Sequence, residues 1–452
     1  MNVLYITVDA LRADHVTKSV MPTIHDFAND GLEYTRCYAN GPGTPWSFPS
    51  LLAGRYSGGT DGFGIPDEND PRPTLAEALN KEGYATAGFT DNRFASSDYN
   101  YDRGMESMYD ANATSSEKRI KQVVRERLDH DGLLYQSLLR SYHLIDDLLV
   151  NVSGRETRFV RAEILVNRLL DWVDNQDEEW FAWLHPMDVH APYEAPDEYQ
   201  RKYLDDPVSR RRTQELARKA THHPDELSDD EWKLQRRLYK AECTYLDDQL
   251  ERLFDSLPKS VLEETLIVFT ADHGEMHGEH GLGGHPQQFW EEVIHVPCAI
   301  SGPDLGTDVI DDQIGLVDLP PTILEALGID QPTGWDGHNI LPTEDGTVDE
   351  REHVFVDVKP ELDRDHVGVR RADEWKLMRH NEEGEILVNT NDNPKEDPLQ
   401  DQSNNVSTIY QELSDILDEH LDEMEQRRRE DVTGIEDEEM IEDHLRELGY
   451  LE

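Results

Sequence analysis

Cysteine is scarce in this chain: three in 452 residues, Cys37, Cys243 and Cys298, all far apart. A disulfide framework or a zinc knuckle needs cysteines at short, paired spacings, so both are excluded, and the three read as buried free thiols. Long apolar runs are missing too. No stretch approaches the roughly 20 apolar residues that span a bilayer. No basic segment precedes the strand-like run at Val3, so a signal peptide is not expected and a cytoplasmic location is. Positive charge is the third shortage, with 43 Lys and Arg against 96 Asp and Glu, a formal net charge of −53. Sequence-independent nucleic-acid binding requires clustered cations and is excluded on that ground. The acid is spread along the whole chain. Self-repulsion on this scale weakens a compact state in dilute buffer and is a lever of halophilic proteins, so a salt-rich host is expected; the plainer alternative is an acidic surface with a charged tail.

Strand and helix signals alternate through the first two thirds, the pattern of βα units building a mostly parallel sheet. Buried strands are expected at Val3–Val8, Tyr34–Tyr38, Ala85–Phe89, Trp180–His185 and Leu266–Ala271. Long polar helices are expected between about residues 115 and 175. The clearest helix carries Tyr239, Cys243, Leu246, Leu250, Leu253 and Leu257, spaced alternately four and three residues, an apolar stripe for core packing. From about residue 351, four short apolar runs separated by charged turns suggest a small antiparallel sheet. The expected layout is a catalytic α/β domain over 1–345, a small β subdomain over 346–403 and an acidic helical tail over 404–452. In that tail Glu423–Glu430, with three consecutive arginines, reads as a solvated helix face.

Two of the strands stop at a carboxylate, one at Asp9 and the other at Asp272, which His273 and Gly274 follow. In open α/β sheets ligands bind at the carboxyl ends of the strands, so neighbouring strands would join Asp9, Asp272 and His273 into a hard-cation site. An Asp in that position is otherwise an N-cap. His277 and His280 read as loop residues or as supports for the ligands. Asn40–Ser50 is rich in Gly, Pro and hydroxyls and opens an apolar helix; Thr44 or Ser47 there is either a cap or a nucleophile beside an anion-binding helix N-terminus. His190, just past the Trp180–His185 strand, and His285 in Gly284-His285-Pro286 stand at the rim, where a leaving group would be protonated; the plain reading of each is a surface loop histidine.

These segments resemble the sulfatases of the alkaline-phosphatase superfamily. The resemblance rests on Ile6-Thr7-Val8-Asp9-Ala10-Leu11-Arg12-Ala13-Asp14-His15, Gly54-Arg55-Tyr56 and Met187-Asp188-Val189-His190-Ala191-Pro192-Tyr193. It extends through Phe269-Thr270-Ala271-Asp272-His273-Gly274-Glu275, Gly278-Glu279-His280-Gly281, Val296-Pro297, Val317–Leu324 and Leu445–Leu451, in the family's order over nearly the whole chain. It implies an alkaline-phosphatase-like α/β fold with a large mixed, mostly parallel sheet flanked by helices and a small C-terminal antiparallel sheet. It further implies one divalent ion (Ca, Mg, Mn or Zn) held by Asp9, Asp272, His273 and the nucleophile, with His190 and His285 contacting the substrate. Two positions depart from the family. Ala10 stands where many sulfatases have a second Asp. The Cys/Ser-x-Pro-Ser-Arg segment, whose first residue becomes formylglycine, is not kept: spacing from Gly54-Arg55 lands on Thr44, with Ser47 and Phe48 at the motif's Ser and Arg, while the other register puts Ser47 first and Leu51 at the Arg.

Threonine cannot yield formylglycine, so a Thr44 nucleophile would attack as an alkoxide, as in the superfamily's phosphoethanolamine and glycerophosphate transferases. Three readings follow. The first is a metal-dependent hydrolase of sulfuric or phosphoric esters acting on a small anionic ester or a glycan. The second is a phosphoryl-group transferase, and the third a non-catalytic binder of anionic glycans.

Overall fold

The computed structural model describes residues 1–110, 159–343, 346–358, 366–380, 384–396, 400–403, 406–430, 440–442 and 444–445. The helices expected over 115–158 and the terminal Arg446–Leu451 segment lie outside the described residues. A nine-stranded sheet forms the centre. Its strands are β1 (Asn2–Val8), β2 (Leu32–Tyr38), β3 (Ala85–Thr90), β4 (Ser107–Asp110), β5 (Trp180–His185) and β6 (Thr265–Ala271), then β9 (His295–Val296), β10 (Cys298–Ser301) and β11 (Asp308–Gly315). The order is β11-β2-β10-β6-β1-β5-β3-β4, with β9 against β2. Only β9 and β10 run against the rest, so the sheet is mixed and mostly parallel.

The chemistry of β1, β5 and β6 puts them in the middle. Val3–Val8, Trp180–His185 and Thr265–Ala271 are buried throughout, as parallel strands covered on both faces must be. Register then sets the site: Val8 pairs with Ala271, so the next residues, Asp9 and Asp272, emerge side by side. On the other flank of β1, Ile6 pairs with Leu184, which delivers His185 to the same edge. Helices Ala162–Val173 and Asp229–Ser256 pack on the sheet and on each other. The second opens with a capping box between Ser228 and Glu231 and buries Tyr239, Cys243, Leu246, Leu250 and Leu253 along the anticipated stripe.

Between β6 and β9 a two-stranded ribbon, β7 (Met276–His277) and β8 (Gly283–Gly284), covers the carboxyl edge. The four late apolar runs form the antiparallel sheet β12 (His353–Asp357), β13 (His366–Arg371), β14 (Trp375–His380) and β15 (Gly384–Asn389). The helix Ser407–Glu430 lays Leu413, Leu417, Leu421 and Met424 on that sheet.

Several elements differ from the sequence reading, β4 and the β7–β8 ribbon among them. β11 was not anticipated, because its acids and its bulge between Ile310 and Gln313 hide the alternation of an edge strand. The arginine run is not a purely solvated face. Arg427 pairs with the half-buried Asp336, and Arg428 Nε lies 2.6 Å from Asp61 Oδ1, so this end of the helix docks beside the Ser57–Gly59 turn. The three cysteines are free and buried.

Candidate active site

Asp9 is fully buried just past β1. Its Oδ2 accepts from Asn92 Nδ2 at 2.6 Å, and Thr44 Oγ1 lies 3.3 Å away. No helix starts at Asp9; the nearest turn, Ala13–His15, has Arg12 at its N-cap position. Asp272 Oδ1 accepts from the amides of Ala10 (3.1 Å) and His273 (2.8 Å), and its Oδ2 accepts from Thr44 Oγ1 at 2.9 Å. Ala10 reaches that amide geometry only by adopting φ 57°, a left-handed conformation costing an alanine roughly 1–2 kcal/mol. His273 Nδ1 donates to the Gly274 carbonyl at 2.8 Å, leaving Nε2 3.6 Å from Asp272 Oδ2 and 3.9 Å from Asp9 Oδ1. Gly274 is required there, since a Cβ would stand 2.2 Å from the Glu292 carbonyl oxygen.

Thr44 is the first residue of helix Thr44–Ala53, after Gly43 at the N-cap, so its hydroxyl serves no capping bond. It points instead to the two aspartates and accepts from Asn92 Nδ2 at 3.1 Å. Ser47 lies one turn on and donates to the Gly43 carbonyl at 3.1 Å, within its own helix. His190 Nδ1 donates to the Ala191 carbonyl at 2.7 Å, and its Nε2 faces His285 Nε2 at 3.0 Å. The His285 ring lies 4.8 Å from the His273 ring, so this histidine pair borders the aspartates. His277 bonds Tyr193 Oη at 3.0 Å and His280 stacks on Trp290 at 4.1 Å; neither reaches the aspartates.

The electrostatics are those of two buried carboxylates forced together. Burial opposes ionisation of Asp9, but His190, His185 and His273 outweigh it and hold this carboxyl far below its usual range. Burial and the adjacent Asp9 charge push Asp272 well above it. Burial lowers His273, against the pull of Asp9. Burial, His273 and His190 together keep His285 neutral to well below the ordinary imidazole range. Three atoms in fully buried side chains, Asp9 Oδ1, His185 Nε2 and His273 Nε2, find no hydrogen-bond partner among the described residues. Each such atom costs roughly 1–3 kcal/mol when left so. Ligand atoms of Asp9, His185 and Asp272 lie within 4.8 Å of one another. Oxygen and imidazole donors converging with unused lone pairs fit a divalent cation.

Sequence reasoning missed His185 and Asn92. The signal for His185 was present: it ends a central strand at the edge where Asp9 and Asp272 emerge. Asn92, two residues past β3, carried no local signal at all.

The family described as Sulfatase matches residues 1–329, and the chain belongs to it. Among curated relatives, the uncharacterized sulfatase YidJ of Escherichia coli is 27% identical over 271 residues, 56% of this chain and 53% of that protein. The choline-sulfatase of Rhizobium meliloti is 30% identical over 157 residues, 34% of this chain and 30% of that one. The chain thus spans about half or less of the length of these relatives. The phosphonate monoester hydrolase of Agrobacterium radiobacter shares the fold, with a TM-score of 0.67 at 20% identity over 94% of this chain and 96% of that chain. Among the described residues no helix is long and apolar enough to cross a membrane.

Proposed function

We propose that this chain is a metal-dependent hydrolase of sulfuric or phosphoric esters in which Thr44 is the nucleophile. The observation that carries this reading is the Thr44 hydroxyl at the start of a helix, 2.9 Å from Asp272 and 3.3 Å from Asp9, beside Asp9 Oδ1 and His273 Nε2, which find no hydrogen-bond partner among the described residues. Asp9, Asp272 and His273 would hold a divalent ion, with Thr44 as a further ligand. When bound, that ion acts as a Lewis acid on the ester and lowers the pKa of a hydroxyl it touches.

The protein's own residues supply the rest. Thr44 Oγ1 releases its proton to solvent and attacks the sulfur or phosphorus, while Asp272 Oδ2 and Asn92 Nδ2 hold the oxygen in place. The positive end of the helix beginning at Thr44 favours the anionic group. His285 and His190 border the site and pass a proton, taken up from solvent beforehand, to the departing oxygen; burial lowers the His285 imidazole, so once protonated it gives the proton up readily. Water then releases the group from Thr44, which regenerates the hydroxyl. Phe48 replaces the cation that the family's motif would supply, so charge balance at the ester falls to the ion and the histidines.

The test is turnover of aryl sulfate, aryl phosphate and aryl phosphodiester substrates, in high salt with Mn, Mg, Ca or Zn, beside Thr44→Ala and Ser47→Ala. Thr44→Ala should lose at least about 100-fold in kcat, the order of loss typical for one essential transition-state contact, and Ser47→Ala should lose little. Full activity in Thr44→Ala sinks the nucleophile assignment. No turnover of any ester with any metal sinks the hydrolase.

A further inference from the structure

We propose that His185 is itself a ligand of the metal, so that the site grips its ion through two imidazole nitrogens and two carboxylates. This rests on the reading of Asp9, Asp272 and His273 as the metal centre. His185 Nδ1 lies 2.9 Å from both the carbonyl and the hydroxyl oxygen of Thr7. A carbonyl oxygen only accepts, so its contact with Nδ1 places the ring proton there. The lone pair of the neutral ring is then on Nε2, 3.4 Å from Asp9 Oδ2.

A lone pair facing a carboxylate oxygen in a fully buried site is repulsive unless positive charge lies between or on the ring. His185 Nε2 makes no hydrogen bond at that distance, and Asp9 Oδ2 is already engaged by Asn92 at 2.6 Å. Neighbouring donors about 2.1 Å from one ion stand about 3 Å apart, which is the scale of the opening. The ring is also locked in place, edge-on to Phe48 at 4.8 Å and alongside Trp183 at 6.0 Å. Phe48 therefore does more than remove a cation: it wedges an imidazole toward the aspartates.

Two imidazoles favour ions of the zinc, copper or nickel kind over calcium and magnesium, which prefer all-oxygen shells. The experiment uses the full chain stripped of metal, labelled with ¹⁵N-histidine and loaded with copper(II), and counts coordinated imidazole nitrogens by electron paramagnetic resonance. The wild type should show two and His185→Asn one. Calorimetric zinc affinity should fall by roughly 10–100-fold in that variant, while calcium affinity moves little. One nitrogen in the wild type, or two that persist in His185→Asn, overturns the assignment; the wild-type count stands even if the variant does not fold. Failure of the wild type to bind copper overturns the assignment together with the metal centre beneath it. Two nitrogens with no ester turned over leaves the ligand in place and removes only the hydrolase.

Discussion

At the scale of single residues, partial ionisation is built into the protein well beyond Asp9 and Asp272. Glu242 is buried beside Asp188 and Arg161, whose Nη1 lies 2.9 Å from Glu242 Oε2. Burial is the largest influence on Glu242; Asp188 adds to it and Arg161 opposes it, and the carboxyl is pushed up to about 8 from an ordinary 4.5. The folded protein therefore binds this proton more tightly than the unfolded chain, so the Glu242 contribution to stability is full below pH 4.5 and is lost as pH rises toward about 8. Thermal unfolding of the metal-free protein at about pH 6 and about pH 8.5 should show a lower midpoint at the higher pH. Glu242→Gln, which cannot titrate, should shrink that difference; an unchanged difference would remove Glu242 as its source.

Legibility differed residue by residue for a physical reason. Asp9, Asp272 and His273 were readable because each ends an apolar run, and strand direction alone carries them to one edge. Thr44 and Ser47 could not be separated by spacing. What distinguishes them is helix phase, which turns one hydroxyl to the aspartates and the other to its own backbone. Asn92 reaches Asp9 only because β3 lies beside β5 in the sheet, a long-range pairing that local sequence does not encode.

At the scale of elements, the loop bearing His273 is fastened to the small C-terminal sheet. The Gly274 amide donates to the Val293 carbonyl, at 2.6 Å, in the short helix Glu291–Ile294. Glu291 in turn lies 3.1 Å from Lys376 Nζ on β14, and Lys376 also meets the buried Glu396 at 2.6 Å. Two carboxylates on one fully buried ammonium leave an unpaired charge if the ammonium goes. Lys376→Met should therefore cost roughly 3–5 kcal/mol in stability, read by denaturant titration. A variant as stable as the parent would show this clamp to be energetically neutral. The small sheet was legible from its four short runs, whereas the clamp was not, since a lysine in a strand reads as a solvent-facing residue until its neighbours are known. The arginine run misled for the converse reason: its partners Asp61 and Asp336 lie 367 and 91 residues away along the chain.

At the scale of the whole molecule, a net charge of −53 acts on every compact state of the chain. Screening shortens from about 10 Å at 0.1 M salt to about 3 Å at 1 M, so the thermal midpoint should climb steadily with KCl over that range. A flat profile would return the acid to an ordinary solvated surface. Under the proposed function the same charge would set the electrostatics of the site, since an anionic ester would approach a protein that repels it overall and would be drawn in by the histidines, the helix terminus and a bound ion.

The central claim is that Thr44 takes the group from the ester, and acid-quenched peptide mass spectrometry tests it most directly. After mixing with an aryl phosphate or aryl sulfate, the peptide holding Thr44 should carry one phosphoryl or sulfuryl group, placed on Thr44 by fragmentation and absent from Thr44→Ala. The same group on Ser47, or turnover that continues undiminished in Thr44→Ala, would contradict it.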